Sequence, residues 1–215
     1  MMLDLDDRLD RIYENILDYE AKQVAELVKS EVEAGTDLKI ILDDALIAAM
    51  DEVGDLFAEG ELFVPEMLMA ANAMKAGMEI LRPLLSESDV PSAGKVVIGT
   101  VQRDIHDIGK NLVGMMLEGG GFEVIDLGVN VAPAEFVEAA AKHSPDIIGM
   151  SALLTTTMPN MPKTIDALHK ADFKGKIIVG GAPVTLEFAE TIGSDSYAPD
   201  ASVAVSLARE MLGID

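Results

Sequence analysis

The sequence predicts an α/β protein in two parts, an N-terminal four-helix bundle followed by a doubly wound, five-stranded parallel sheet. Three observations predict it. Apolar residues up to about position 88 recur at helical spacing. From Lys95 onward they gather into short, almost wholly apolar runs. Helical segments separate those runs, which is the pattern of right-handed crossovers between parallel strands. A chain of 215 residues accommodates both parts, and 49% hydrophobic composition supplies a sizeable core. Aromatics make up only 4% and Trp is absent, so Ala, Leu, Val, Ile and 13 Met must fill that core.

In the first part, Leu9, Ile12, Tyr13, Ile16 and Leu17 form one apolar stripe. Val24, Leu27, Val28 and Val32 repeat it in a second helix that Gly35 ends. Asp37 caps a third, in which Leu38, Ile41, Leu42, Ala45, Ala49, Met50 and Val53 keep the period. Gly60 interrupts the chain, and Pro65 suits the first turn of a fourth helix carrying Met67, Leu68, Ala71, Met74, Ala76, Met78 and Leu81. Pro83 is expected to end that helix and to open a polar hinge reaching Gly94. The expected domains are residues 1–88, a linker at 89–94, and residues 95–215.

In the second part the strands are expected at Val96–Val101, Phe122–Leu127, Asp146–Ser151, Lys176–Val179 and Ser196–Ala198. Helices are expected at Gly109–Leu117, Pro133–Lys142, Pro159–Lys170, Thr185–Thr191 and Ala201–Leu212. The layout is flavodoxin- or Rossmann-like, and such sheets bind ligands beyond the carboxyl ends of their strands. The loops that begin at Gln102, Leu127, Ser151, Gly180 and Ala198 are therefore where chemistry is expected.

Composition removes several function classes. Lys plus Arg is 16 against 38 for Asp plus Glu, a net charge of −22 that repels nucleic-acid phosphates and anionic lipid. Residues 1–90 hold 7 basic and 22 acidic side chains, net −15, leaving −7 for the sheet part. Such a surface is ordinarily a solvated one; its sharper use is to guide basic partner proteins. Cysteine is absent, which excludes disulfides, Cys-ligated zinc, iron–sulfur clusters and thiol nucleophiles. The start of the chain is acidic, without the basic and apolar regions of an export signal, so a soluble cytoplasmic protein is expected.

Of the three histidines, His143 and His169 fall near expected helix ends, where a solvated histidine is ordinary. His106 instead follows the first strand. Asp104, two residues earlier, can fold back and accept from one ring nitrogen, which fixes the tautomer of a metal-ligating imidazole. Gly109 permits close approach of something bulky as the helix begins. Beyond the third strand comes the hydroxyl-rich run Ser151-Ala-Leu153-Leu154-Thr155-Thr156-Thr157. Beyond the fourth comes the small-residue gap Gly180-Gly181. Three such features at one sheet edge point to a single ligand site.

Asp104-x-His106-x-x-Gly109, followed by Ser151-x-Leu153 and Gly180-Gly181, resembles the cobalamin-binding motif of methionine synthase and the corrinoid methyltransferase proteins. Residues 49–74 are similar to the helical cap segment of that family, and the loop Gly193–Ala201 to its final loop. The resemblance implies cobalamin, in methylated, Co(I) and Co(II) forms, with other corrinoids admitted. It implies His106 as lower ligand to cobalt in place of the cofactor's own base. Asp104 would hold His106, and Thr157 would extend the relay, at a position where the family often has Ser. Asp107, Ile108 and Gly109 would border the cofactor. Its displaced tail would run past Ser151, Leu153, Thr155, Gly180 and Gly181, with Tyr197 and Ala198 at the far end.

Met67, Met74 and Met78 share one helix face, where methionines ordinarily fill a bundle core. The resemblance instead places Phe63, Val64, Met67 and Leu68 near the upper corrin face. It implies a methyl carrier, not catalytic alone. One partner methyltransferase would load it from a methylamine, methanol, betaine or methoxy-aromatic donor. Another would pass the methyl to a thiol or tetrahydropterin, with a reductive activase in attendance. The alternatives are the cobalamin subunit of a radical mutase and a cobalamin-dependent sensor; the helical cap favours methyl transfer.

Overall fold

The computed structural model describes residues 4–87 and 92–214. Residues 89–91 of the expected linker at 89–94 lie outside them. The chain divides into two units, one built from residues 1–91 and 118–121, the other from 92–117 and 122–215.

The first unit is helical. Helices α1 (Leu5–Leu17) and α2 (Ala21–Ala34) are followed by a short α3 (Leu38–Ile40), a π-helical segment (Ile41–Ile47), α4 (Ala48–Ala58) and the long α5 (Val64–Glu87). Asp4 caps α1 by accepting from Asp7 N (2.9 Å), and Asp37 caps α3 by accepting from Lys39 N (2.8 Å). The π segment is explained by its apolar spacing. Ile41, Ala45, Ala49 and Val53 are buried, as are Leu42, Leu46, Met50 and Gly54, a repeat of four residues. An α-helix of 3.6 residues per turn would carry that stripe round toward solvent, and the wider π turn brings it back. At Gly77 of α5 a β-carbon would stand 3.0 Å from Leu46 and 3.1 Å from Val24, so glycine lets α5 pack closely there. Met67, Met74 and Met78 are all buried.

Pro83 does not end its helix, which is a correction to the expectation. It sits inside α5, which continues to Glu87. The proline removes one backbone donor, but the flanking helix-forming Leu81, Leu84 and Leu85 keep the run going.

The second unit alternates β1 (Lys95–Thr100), α6 (Ile108–Gly119), β2 (Glu123–Asp126), α7 (Pro133–His143), β3 (Ile147–Ser151), α8 (Asn160–Lys170), β4 (Lys176–Gly180), α9 (Leu186–Ile192), β5 (Ser196–Ala198) and α10 (Ala201–Leu212). The strands form one parallel sheet in the order β2-β1-β3-β4-β5, a flavodoxin-like doubly wound fold. Every residue of β1 after Lys95 is buried, as a strand covered on both faces requires. Val97, Ile148, Ile177 and Val179 from the sheet pack with Phe136, Met161, Ile165 and Leu168 from α7 and α8. Pairing aligns Thr100, Ser151, Gly180 and Ala198 across the carboxyl edge. The strand order reverses between β1 and β3, so a crevice opens where the loops after these two strands diverge. Among the described residues no helix is long and apolar enough to cross a membrane.

Candidate functional site

The loops at that reversal point converge on Asp104. Its backbone leaves β1 through a turn in which Asp104 N donates to Val101 O (3.1 Å). The side chain is completely buried. Oδ1 accepts from His106 N (3.1 Å) and lies 2.7 Å from His106 Nδ1. Oδ2 accepts from Leu153 N (2.8 Å) and from the Thr157 hydroxyl (2.6 Å). Leu154 N stands further off at 3.4 Å. Thr157 is itself buried, and its hydroxyl also faces Leu154 O at 2.8 Å. A residue of the first loop thus organises the loop beyond β3, about fifty positions later.

Burial alone would raise the Asp104 carboxyl. The hydrogen bonds from Thr157, His106 and Leu153 outweigh it and hold the group well below the usual carboxylate range. Asp104 is therefore an anion with its lone pairs occupied, fitted to orient a neighbour and not to ligate. Since the carboxylate accepts, Nδ1 of His106 carries the hydrogen, which in the neutral ring leaves the lone pair on Nε2. The imidazole side chain is 45% exposed, while Thr100 anchors its backbone by donating to His106 O (2.9 Å). One imidazole with an orienting carboxylate suits a metal whose other positions are filled by a macrocycle.

The surroundings fit a large flat group. A β-carbon at Gly109 would meet nothing within 4 Å. Ile105 (73% exposed), Ile108 (77%), Val129, Leu153 and Leu154 present bare apolar side chains on the loops that meet at Asp104. Asp107 sits at the start of α6, its carbonyl accepting from Asn111 N (2.7 Å).

The remaining expected residues are distributed as follows. Ser151 ends β3 with its carbonyl accepting from Val101 N (3.0 Å), and Thr155 is exposed in the loop beyond. At Gly180 and Gly181 backbone stands where a side chain would begin. A β-carbon would lie 2.8 Å from Ala198 O at Gly180 and 2.0 Å from Ala152 O at Gly181, whose φ is +119°. Glycine here lets neighbouring chains close on one another. Tyr197 packs against the sheet core and Ala198 is buried. In the helical unit Phe63 (67% exposed) and Val64 lie open at the start of α5, and Leu68 is half-buried. Met67 is fully buried and offers no surface to a ligand, so it is a packing residue here.

Sequence reasoning missed Asn130, Asn160 and Lys110. Asn160 Nδ2 donates to Gln102 O (2.7 Å) and ties α8 to the histidine loop. Lys110, buried at the start of α6, donates to Asp126 (2.5 Å) and Asn111 (2.7 Å). Asn130 N donates to Asp104 O (2.8 Å). Their signal is weak because Gln102, Asp126, Arg103 and Asp104 all lie on other elements than the residues that reach them.

Residues 94–206 match the model of a B12 binding domain, and residues 8–82 match a second B12 binding domain model. The chain is 41% identical to a corrinoid protein of Desulfitobacterium hafniense over 95% of its length and 97% of the relative's. It is 46% identical to dimethylamine corrinoid protein 1 of Methanosarcina acetivorans, covering 80% of this chain and 82% of that one. Among solved structures it matches the methanol:cobalamin methyltransferase complex MtaBC of Methanosarcina barkeri, with TM-score 0.87 and 32% identity. That match covers 98% of this chain and 81% of the other.

Proposed function

The chain belongs to the B12-binding family as a corrinoid protein of methyltransferase systems, and from that premise we propose that it carries a methyl group on cobalamin held base-off, with Nε2 of His106 as the lower ligand to cobalt. The observation that carries this reading is the 2.7 Å pairing of His106 Nδ1 with the buried Asp104 carboxylate, which leaves Nε2 as the ring nitrogen available to a metal. When bound, cobalamin supplies a nucleophilic cobalt able to take up a methyl group and give it away.

The chain's own residues do the rest. Asp104 holds the ring in one tautomer, and Thr157 and Leu153 N hold Asp104. Nε2 of the neutral ring would be the nitrogen offered to cobalt. Asp107, Ile108 and Gly109 border the cofactor. Ser151, Leu153, Thr155, Gly180, Gly181, Tyr197 and Ala198 would hold its displaced tail. Residues 1–88 act as a cap domain, 89–94 as linker and 95–215 as the cofactor domain.

One partner is a substrate:corrinoid methyltransferase and another a corrinoid:acceptor methyltransferase, with a reductive activase to restore the cofactor. Relatives named for dimethylamine and a structure named for methanol support a small methylated donor of that class.

The test is reconstitution with cobalamin followed by absorption and Co(II) EPR spectra. Nitrogen coupling lost in His106→Ala is expected. Spectra showing dimethylbenzimidazole on cobalt in the wild type would refute His-on binding. Methyl uptake from separate methylamine and methanol methyltransferases then identifies the donor.

A further inference from the structure

The histidine loop is held from a second side by a residue that the proposed relay does not use. Asn130, in the loop between β2 and α7, makes two bonds to consecutive residues of the loop after β1. Its Oδ1 accepts from Arg103 N (2.7 Å), and its own N–H donates to Asp104 O (2.8 Å). Both residues are left-handed, Arg103 at φ +69° and Asn130 at φ +55°. Asparagine tolerates that region, whereas arginine visits it rarely. A non-glycine residue kept there beside a functional aspartate marks a conformation imposed by its surroundings.

The same two loops are stitched further out. Thr100 N donates to Gly128 O (3.0 Å), and Val131 N to Thr100 O (2.9 Å). Those bonds extend the sheet. Asn130 Oδ1 is different, being a side-chain acceptor for the backbone N–H of the left-handed Arg103. If Arg103 relaxed to negative φ, the peptide leading into Asp104 would turn and its carboxylate would swing away from His106.

We propose that Asn130 is a positioning residue for the Asp104–His106 pair, acting through the backbone of Arg103 and Asp104. It fixes which imidazole nitrogen is left bare. The inference rests on the reading of His106 Nε2 as the cobalt ligand, but its test needs no cofactor.

The probe is the full-length protein labelled with 15N and free of cobalamin, in which nitrogen chemical shifts report each histidine's tautomer. Only three histidines are present, and His106→Gln assigns the signal. Asn130→Gly keeps the left-handed backbone and the N–H to Asp104 while removing only the Oδ1 acceptor. Asn130→Asp keeps an acceptor. In the wild type and Asn130→Asp, His106 is expected as the Nδ1–H tautomer. In Asn130→Gly the Nε2–H fraction is expected to rise about fivefold, the effect of one net hydrogen bond. An unchanged tautomer in a folded Asn130→Gly overturns the inference, whatever happens to its melting temperature. A wild-type His106 already in the Nε2–H form overturns both this inference and the lone-pair reading. A wild-type Nδ1–H ring that then gives no cobalt–nitrogen coupling defeats only the proposed function.

Discussion

Oδ2 of Asp104 accepts the hydroxyl of Thr157 at 2.6 Å, linking a residue just beyond the first strand to one just beyond the third. Oδ1 of the same carboxylate faces His106, so the histidine is oriented by a group that the rest of the crevice has already fixed.

Asp104→Asn keeps the shape of the side chain but removes the charge facing Nδ1. Cobalamin affinity or methyl-transfer rate should fall about 10–100-fold, the usual effect of losing a partner that orients a metal ligand. Titration of cobalamin into the variant reads this directly. An affinity and rate equal to wild type would show that the carboxylate does not support His106.

Thr157→Ser retains the donor and should bind and melt close to wild type. Thr157→Val leaves the buried carboxylate one bond short and should cost about 1.5–3 kcal/mol of stability, the range for bonds to charged groups. Urea unfolding of both variants makes the comparison; a loss in Thr157→Ser with none in Thr157→Val would mean that the methyl group and not the hydroxyl matters.

Asp104 also gives a pH dependence of defined sign. Its carboxyl in the fold lies below its ordinary value of 3.8. The stabilisation it contributes is therefore fully present above that value, and is lost as pH falls toward the folded one. Below about pH 4 the stability gap between wild type and Asp104→Asn should narrow. A gap that widens in acid contradicts the assignment.

Two glycines should separate cofactor space from backbone packing. Gly109→Ala faces open space on a helix, so the cofactor-free protein should gain about 0.5 kcal/mol while cobalamin binding weakens. Gly181→Ala meets Ala152 O at 2.0 Å with φ +119°, and should cost about 3 kcal/mol or more even without cofactor. Thermal melts and cobalamin titrations distinguish them; a Gly181→Ala protein of normal stability would be the contrary result.

The architecture was legible because its signals are local. The apolar run of β1, the cap at Asp37, and the switch from helical spacing to short strands are all read within a dozen residues. Asp104 and His106 were equally visible, since two residues suffice to form their turn. What stayed hidden depends on distant partners. Asn130 reaches Arg103 across 27 positions and Asn160 reaches Gln102 across 58, and neither has a local pattern. At Gly180 and Gly181 the sequence pattern could not show that a β-carbon would meet the backbones of Ala198 and Ala152. Pro83 read as a helix end because a missing N–H costs a bond, but its apolar neighbours sustain the helix.

The measurement that bears most directly on His106 as cobalt ligand is Co(II) EPR of protein grown with 15N-histidine and loaded with unlabelled cobalamin. A 14N donor splits each cobalt line into three and a 15N donor into two. Doublets in the labelled protein, triplets in the unlabelled protein and neither in His106→Ala are the expected results. Triplets persisting in the 15N-histidine protein would mean that the nitrogen on cobalt belongs to the cofactor's own base, and would contradict the assignment of His106.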